Sequence, residues 1–148
     1  LSKRPLSESA QKKLLDAGIP AEMAAKFQQG LCAISLPEQS AILSAFANDV
    51  EPKLVYAQTV LACARAGDVF LGISTSGNSE NVMYAAKTAK AVGVTAIGLT
   101  GATGGKLAEI CDITIRVPAT ETFMVQEYHL PVYHAICAEV ERRLFDET

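Results

Sequence analysis

Apolar and polar positions follow two rhythms along the chain. Short unbroken apolar runs, bounded by glycine, proline or aspartate, predict buried strands at Leu31–Leu36 (LCAISL), Val69–Ser74 (VFLGIS), Val94–Thr100 (VTAIGLT) and Ile113–Val117 (ITIRV). Elsewhere apolar residues recur every three to four positions, the helical rhythm. Helices are predicted over Ser7–Ala17, with Ser7 as N-cap and Gly18 as stop, and over Ala21–Gln28, where Pro20 suits the first turn and Gly30 ends it. Further helices are predicted over Ser40–Ala47, broken by Asn48-Asp49, over Pro52–Ala66, closed by Gly67-Asp68, and over Ser79–Val92, with Val82, Ala86 and Ala89 on one face. A glycine-rich turn, Gly101–Gly105, leads into a short helix over Lys106–Cys111. Glu121–Phe145 reads as one long helix bent at Pro131, whose missing N–H breaks a backbone bond. Strands alternating with helices imply parallel βαβ units. The expected fold class is therefore α/β, a three-layer sandwich with a doubly wound parallel sheet flanked by helices.

Length and charge narrow this picture. The 148 residues suit one domain, 1–148, with one sizeable core. A net charge of −3 argues against a nucleic-acid partner, which needs a basic patch. No apolar run reaches the roughly 18 residues of a membrane span, so no membrane partner is expected. No apolar stretch follows Leu1-Ser2-Lys3-Arg4-Pro5, so no secretory signal is expected either. Cys32, Cys63, Cys111 and Cys137 form no CxxC pair and each has apolar neighbours. Buried free thiols and a cytoplasmic location are the expectation.

The run VFLGISTSGNSENV carries the clearest chemistry. It goes from strand to polar loop to helix, and in a parallel sheet that loop opens at the carboxyl edge, where ligands bind. Ser74, Thr75, Ser76 and Ser79 offer hydroxyls, and Gly77 permits a tight turn. The N–H groups and positive end of the following helix face the loop. Hydroxyls and amides without a P-loop lysine suit the phosphate monoester of a small molecule rather than a nucleoside triphosphate. A plain alternative is a capped helix, with Ser79 as N-cap behind a polar turn; four hydroxyls around Gly77-Asn78 favour phosphate. The second turn, Thr100 to Lys106, reads either as another anion site or as a short strand-to-helix connection.

Three stretches, GDVFLGISTSGNSENV, LTG..GGKLAEICDITIRVP and TET...QEYHLPVYH, closely resemble the phosphoheptose isomerases of the sugar isomerase (SIS) domain family. The resemblance spans about Leu31 to Phe145. It implies an α/β sandwich that assembles as a homotetramer. It also implies conversion of sedoheptulose 7-phosphate to D-glycero-D-manno-heptose 7-phosphate, a step toward bacterial surface heptose. On this resemblance Ser74, Thr75, Ser76 and Ser79 are phosphate ligands, and Asn48, Asp49 and Gln126 are substrate-binding residues. Glu22, in AEMAAKF, matches the family's catalytic Glu, and His134 its catalytic His, with Lys26 where Arg is usual. In members that bind a divalent metal, often zinc, the positions of Glu22, Gln126 and His134 are ligands. No organic cofactor is expected.

The chemistry is consistent with these residue types. Aldose–ketose isomerisation moves a proton through an enediol and needs a base and an acid–base partner. Glu22 suits the carbon proton, and His134 suits ring opening or the oxygen side. Gln126 and His134 are eight residues apart on one predicted helix, so their directions differ by about 80° and both can line one pocket. Each residue also has a plainer reading. His134 can be a satisfied core histidine, Asn48-Asp49 a helix-ending turn, and Glu22 and Lys26 an exposed i, i+4 pair. His129 reads as structural or as a subunit contact, and Glu127 as a salt bridge or cap.

The sequence departs from the family at its start. The first strand, the first glycine-rich loop (GNGGSAADA) and the metal-ligand His four residues before the Glu are all absent; Gly18 holds that last position. Loss of an inner strand would leave unpaired backbone and a cavity. The sequence is therefore read as omitting residues between about Ala17 and Ile19, the alternative being a divergent member with a rebuilt first unit. Two functions follow. One is an isomerase of a sugar phosphate. The other is a non-catalytic SIS module binding a sugar phosphate or a partner protein such as a replication initiator.

Overall fold

The computed structural model describes residues 3–145; Leu1, Ser2 and the last three residues of the expected 1–148 domain lie outside the described residues. Two compact units form, one from the residues up to Ile34 together with those from Cys137 onward, the other from Ser35–Ile136.

In the first unit, helix α1 (Glu8–Asp16) starts where Ser7 Oγ accepts the Ala10 N–H, as the sequence predicts. It ends in a Schellman motif. Gly18, at φ 89°, donates to the Leu15 carbonyl, and the Ile19 N–H reaches back to Leu14. Helix α2 is a single turn, Ala21–Ala24, rather than the longer Ala21–Gln28 helix. Beyond it the chain extends, and Pro5 and Gln28 form an isolated antiparallel bridge.

The larger unit holds the sheet. Among the described residues it has three parallel strands, β1 (Val69–Ser74), β2 (Thr95–Thr100) and β3 (Ile113–Arg116), in that spatial order. Helix α3 (Ser40–Asp49) precedes a one-turn 3-10 segment, Pro52–Leu54, and then α4 (Val55–Cys63). Helix α5 (Glu80–Ala91) crosses from β1 to β2, and α6 (Leu107–Ile110) from β2 to β3. The long α7 (Thr122–Phe145) contains Pro131 and runs on into the other unit. The α/β class with a parallel sheet flanked by helices is what the structure shows.

One face of the sheet packs closely. Gly72 on β1 leaves room for α5, because a Cβ there would come within 3.0 Å of Val82. Val60 of α4, Ala85 and Ala89 of α5, and Val94 just before β2 bury together. Asp112 ties β3 to its neighbours: its carboxylate accepts from Lys90 Nζ at 2.8 Å and from the Ala96 N–H at 2.9 Å. The other face carries Val69, Leu71, Ile73 and Ile113, all exposed.

Other expectations also need correction. Leu31–Leu36 is not a strand: Leu31 and Ile34 are exposed, and the run ends in a 3-10 turn, Leu36–Glu38. Asn48 and Asp49 do not break α3 but form its last two residues, and Val50 ends it. The cysteines are free but not buried: Cys32, Cys63 and Cys137 are exposed and Cys111 is half-buried. Apolar neighbours in sequence do not guarantee burial when the residue sits at a helix end, as Cys63 does, or on an outer helix face.

Candidate phosphate site and catalytic residues

The Ser74–Ser79 loop leaves the carboxyl end of β1 and enters α5, as the sequence predicts. Ser74 is buried, and its hydroxyl lies 2.9 Å from that of the exposed Ser79. This contact changes the role of Ser79. It occupies the N-cap position, yet its side chain makes no cap hydrogen bond. The plain capped-helix reading therefore loses its main support, and the first turn of α5 keeps donors that Ser79 does not take. Exposed Ser76 accepts the Asn78 N–H at 3.1 Å, which holds the loop's outer turn. Half-buried Thr75 uses its carbonyl to accept the Gly101 N–H at 3.0 Å.

Gly101–Gly105 turns out to be a scaffold for the Ser74–Ser79 loop. Asn78 Oδ1 accepts the Lys106 N–H at 3.0 Å, and the Gly77 carbonyl accepts the Leu107 N–H at 2.9 Å. The backbones touch so closely that a Cβ on Gly77 would fall on the Gly104 carbonyl oxygen, and one on Gly105 on the Ser76 carbonyl oxygen. Gly77 also has φ 68°, in the left-handed region. The clustered glycines after β2 were the available signal for this contact, but their partner loop is not adjacent in sequence. The row Ser74, Thr100, Arg116 runs across all three strands at this edge, and the Arg116 guanidinium lies against Gly104.

The remaining site residues are placed as follows. Asn48 and Asp49 are exposed at the end of α3, within the larger unit. The 3-10 turn that follows them packs on α3 and α5. There Lys53 Nζ sits 2.7 Å from Glu80 Oε2, a pair the sequence reading did not single out. Gln126 and His134 are exposed on α7, two turns apart, as are Glu127 and Tyr128. His129 is buried, its Nε2 without a hydrogen-bond partner, consistent with a structural position. Glu22 is exposed on α2 and belongs to the other unit. An open apolar hollow of about 400 Å³, lined by Ile19, Pro20, Met23, Lys26 and Phe27, lies on that unit and contains none of the phosphate-loop residues.

The zinc set implied by resemblance is not contained in one unit: Glu22 belongs to the first, and Gln126 and His134 to the larger. Among the described residues no group of three or more His, Cys, Asp or Glu could hold a metal ion. Gly18, at the position where the resemblance implies a further His ligand, closes α1. Among the described residues no helix is long and apolar enough to cross a membrane.

A family model for the SIS domain matches residues 21–138. The chain is 45% identical over 116 residues to a phosphoheptose isomerase of Aneurinibacillus thermoaerophilus, covering 78% of this chain and 59% of that protein. It is 42% identical over 132 residues to a phosphoheptose isomerase of Clostridium acetobutylicum, covering 87% and 67% respectively. Among solved structures, a phosphoheptose isomerase from Neisseria gonorrhoeae superposes with a TM-score of 0.73 at 40% identity, over 75% of this chain and 62% of that one. The chain thus spans about three fifths to two thirds of the length of the relatives it matches.

Proposed function

We propose, on the premise that the chain belongs to the SIS domain family, that it is an aldose–ketose isomerase acting on sedoheptulose 7-phosphate. The observation that carries this reading is the loop at the end of β1. Its Ser74 and Ser79 hydroxyls bond one another, Ser79 makes no cap hydrogen bond to α5, and relatives with 40–45% identity are named phosphoheptose isomerases.

In this reading the 7-phosphate is anchored by the hydroxyls of Ser74, Thr75, Ser76 and Ser79 and by the first N–H groups of α5. Asn48, Asp49 and Gln126 bind the hydroxyls of the open-chain sugar. Glu22 removes the C1 proton of the ketose while the C2 oxygen gains a proton, giving the enediol. The proton returns to C2 as the C1 hydroxyl loses its own, which leaves the aldehyde at C1. His134 serves the oxygen-side transfers and ring opening. No step is routed through a metal. The reaction belongs to the cytoplasm and to surface-heptose synthesis, and the working form is a homotetramer that buries exposed positions of α7 such as Leu130 and Ala135.

The test is direct. The protein is incubated with sedoheptulose 7-phosphate, with and without added zinc, and the aldose is followed by NMR. Appearance of the aldose supports the isomerase. Phosphate binding without turnover returns the chain to a non-catalytic sugar-phosphate module, and absence of both rejects the site.

A further inference from the structure

Glu80 is the first residue of α5 and directly follows Ser79, so it stands at the rim of the phosphate loop. Two effects oppose each other there. A carboxylate in the first turn is favoured by the helix's positive end. A phosphate monoester, carrying nearly two negative charges at neutral pH, seeks the same end and is repelled by that carboxylate. Lys53 answers this conflict with its ammonium 2.7 Å from Glu80 Oε2. Its backbone is fixed as well. The Glu51 carboxylate accepts the Lys53 N–H at 3.0 Å, and the Leu54 N–H bonds the Glu51 carbonyl, closing the turn that packs on α5. The hydrogen bond to Glu80, followed by its charge, raises the Lys53 pKa above the ordinary lysine value, so the cation persists through neutral pH.

Building on the phosphate-loop reading, we propose that Lys53 is a positioning residue for the phosphate that acts through Glu80: it neutralises the carboxylate beside the loop and so lets a phosphate dianion settle there. Lys53 need not touch the phosphate. Its action is electrostatic and so is weakened by salt. The same pair joins the turn just after Asn48-Asp49 to the start of α5, which brings two candidate substrate-binding stretches under one charge balance.

A double-mutant cycle tests this on the full chain, with inorganic phosphate and sedoheptulose 7-phosphate as calorimetric probes at low salt. Lys53→Met is expected to weaken both ligands by about three- to tenfold, the size of an uncompensated unit charge near a dianion in water. It should raise KM by the same factor and leave kcat unchanged. Lys53→Arg should keep wild-type affinity. Glu80→Gln should not weaken binding, and Lys53→Met with Glu80→Gln should return to within about twofold of Glu80→Gln alone. The Lys53→Met deficit should shrink as salt rises from about 20 mM to about 500 mM. Wild-type affinity in Lys53→Met overturns the proposal while leaving the phosphate loop intact. A double variant as weak as Lys53→Met also overturns it, because lysine would then act on the phosphate itself. A wild-type protein that binds neither probe overturns the loop reading and this proposal together.

Discussion

The hydroxyl oxygens of Ser74 and Ser79 lie 2.9 Å apart, joining the last residue of β1 to the residue just ahead of α5. Each hydroxyl can still offer or accept a further bond, so the pair is an aimed polar rim rather than a closed contact. Ser74→Ala or Ser76→Ala should weaken phosphate binding by about tenfold to a hundredfold, the usual worth of a hydrogen bond to a charged group. Calorimetry with inorganic phosphate checks this, and unchanged circular dichroism shows that the fold survives. Wild-type affinity in both variants would remove the loop from the phosphate site.

Gly77→Ala should act differently. The new Cβ would strike the Gly104 carbonyl at a backbone φ of 68°, so both the turn and its contact with the glycine-rich scaffold must shift. A loss of about 2–4 kcal/mol in stability is expected, from left-handed strain plus the clash. Thermal or urea unfolding measures it, and phosphate affinity should fall in parallel. Gly18→Ala, also at positive φ but with open space around it, should cost only the strain, about 1 kcal/mol.

His134→Ala and Glu22→Gln should separate chemistry from anchoring. Under the proposed function each lowers kcat by about a hundredfold to ten-thousandfold, the range for a lost acid–base group. Phosphate affinity should change little, because neither residue lies on the Ser74–Ser79 loop. Turnover followed by NMR beside phosphate calorimetry makes the comparison, and normal kcat in both variants would reassign the catalytic pair.

Acid sensitivity should trace in part to Asp112. The hydrogen bond from Lys90, then that from the Ala96 N–H, holds its carboxyl below the usual carboxylate range. A lowered folded-state pKa adds stability that is fully present above the unfolded value near about 3.9 and is lost as pH falls through the lower folded value. Glu139, held at about 2 by Arg142 and Arg143, behaves the same way on α7. Melting temperatures taken from neutral pH down to about pH 2 should therefore fall less steeply below pH 4 in Asp112→Asn than in the wild type. Identical slopes would show that the carboxylate titrates alike in the folded and unfolded chains.

Residue pattern reveals most where local and tertiary signals agree. Val69–Ser74 forms a strand with the expected ends, because an unbroken apolar run meets Asp68 on one side and a glycine-containing loop on the other. Leu31–Leu36 has the same look but among the described residues pairs with no strand, so its run ends irregular. Pro52–Ala66 splits into a 3-10 turn and α4, since Glu51 caps the Lys53 N–H and pulls the first turn tight. Within the site, Ser74, Ser76 and Gly77 are legible because their chemistry is local. Asn78 bonding Lys106, and Lys53 pairing with Glu80, join residues about 27 or 28 positions apart, beyond any helical or strand period.

The stitching of Gly77 to Gly104 and of Asn78 to Lys106 also bears on time and entropy. Under the proposed function the phosphate cradle is assembled when the chain folds, so a ligand finds its donors already aimed. Ordering the loop adds little to the free energy of association, and no slow rearrangement stands between encounter and capture. Phosphate should therefore bind in a single rapid phase whose observed rate rises linearly with concentration.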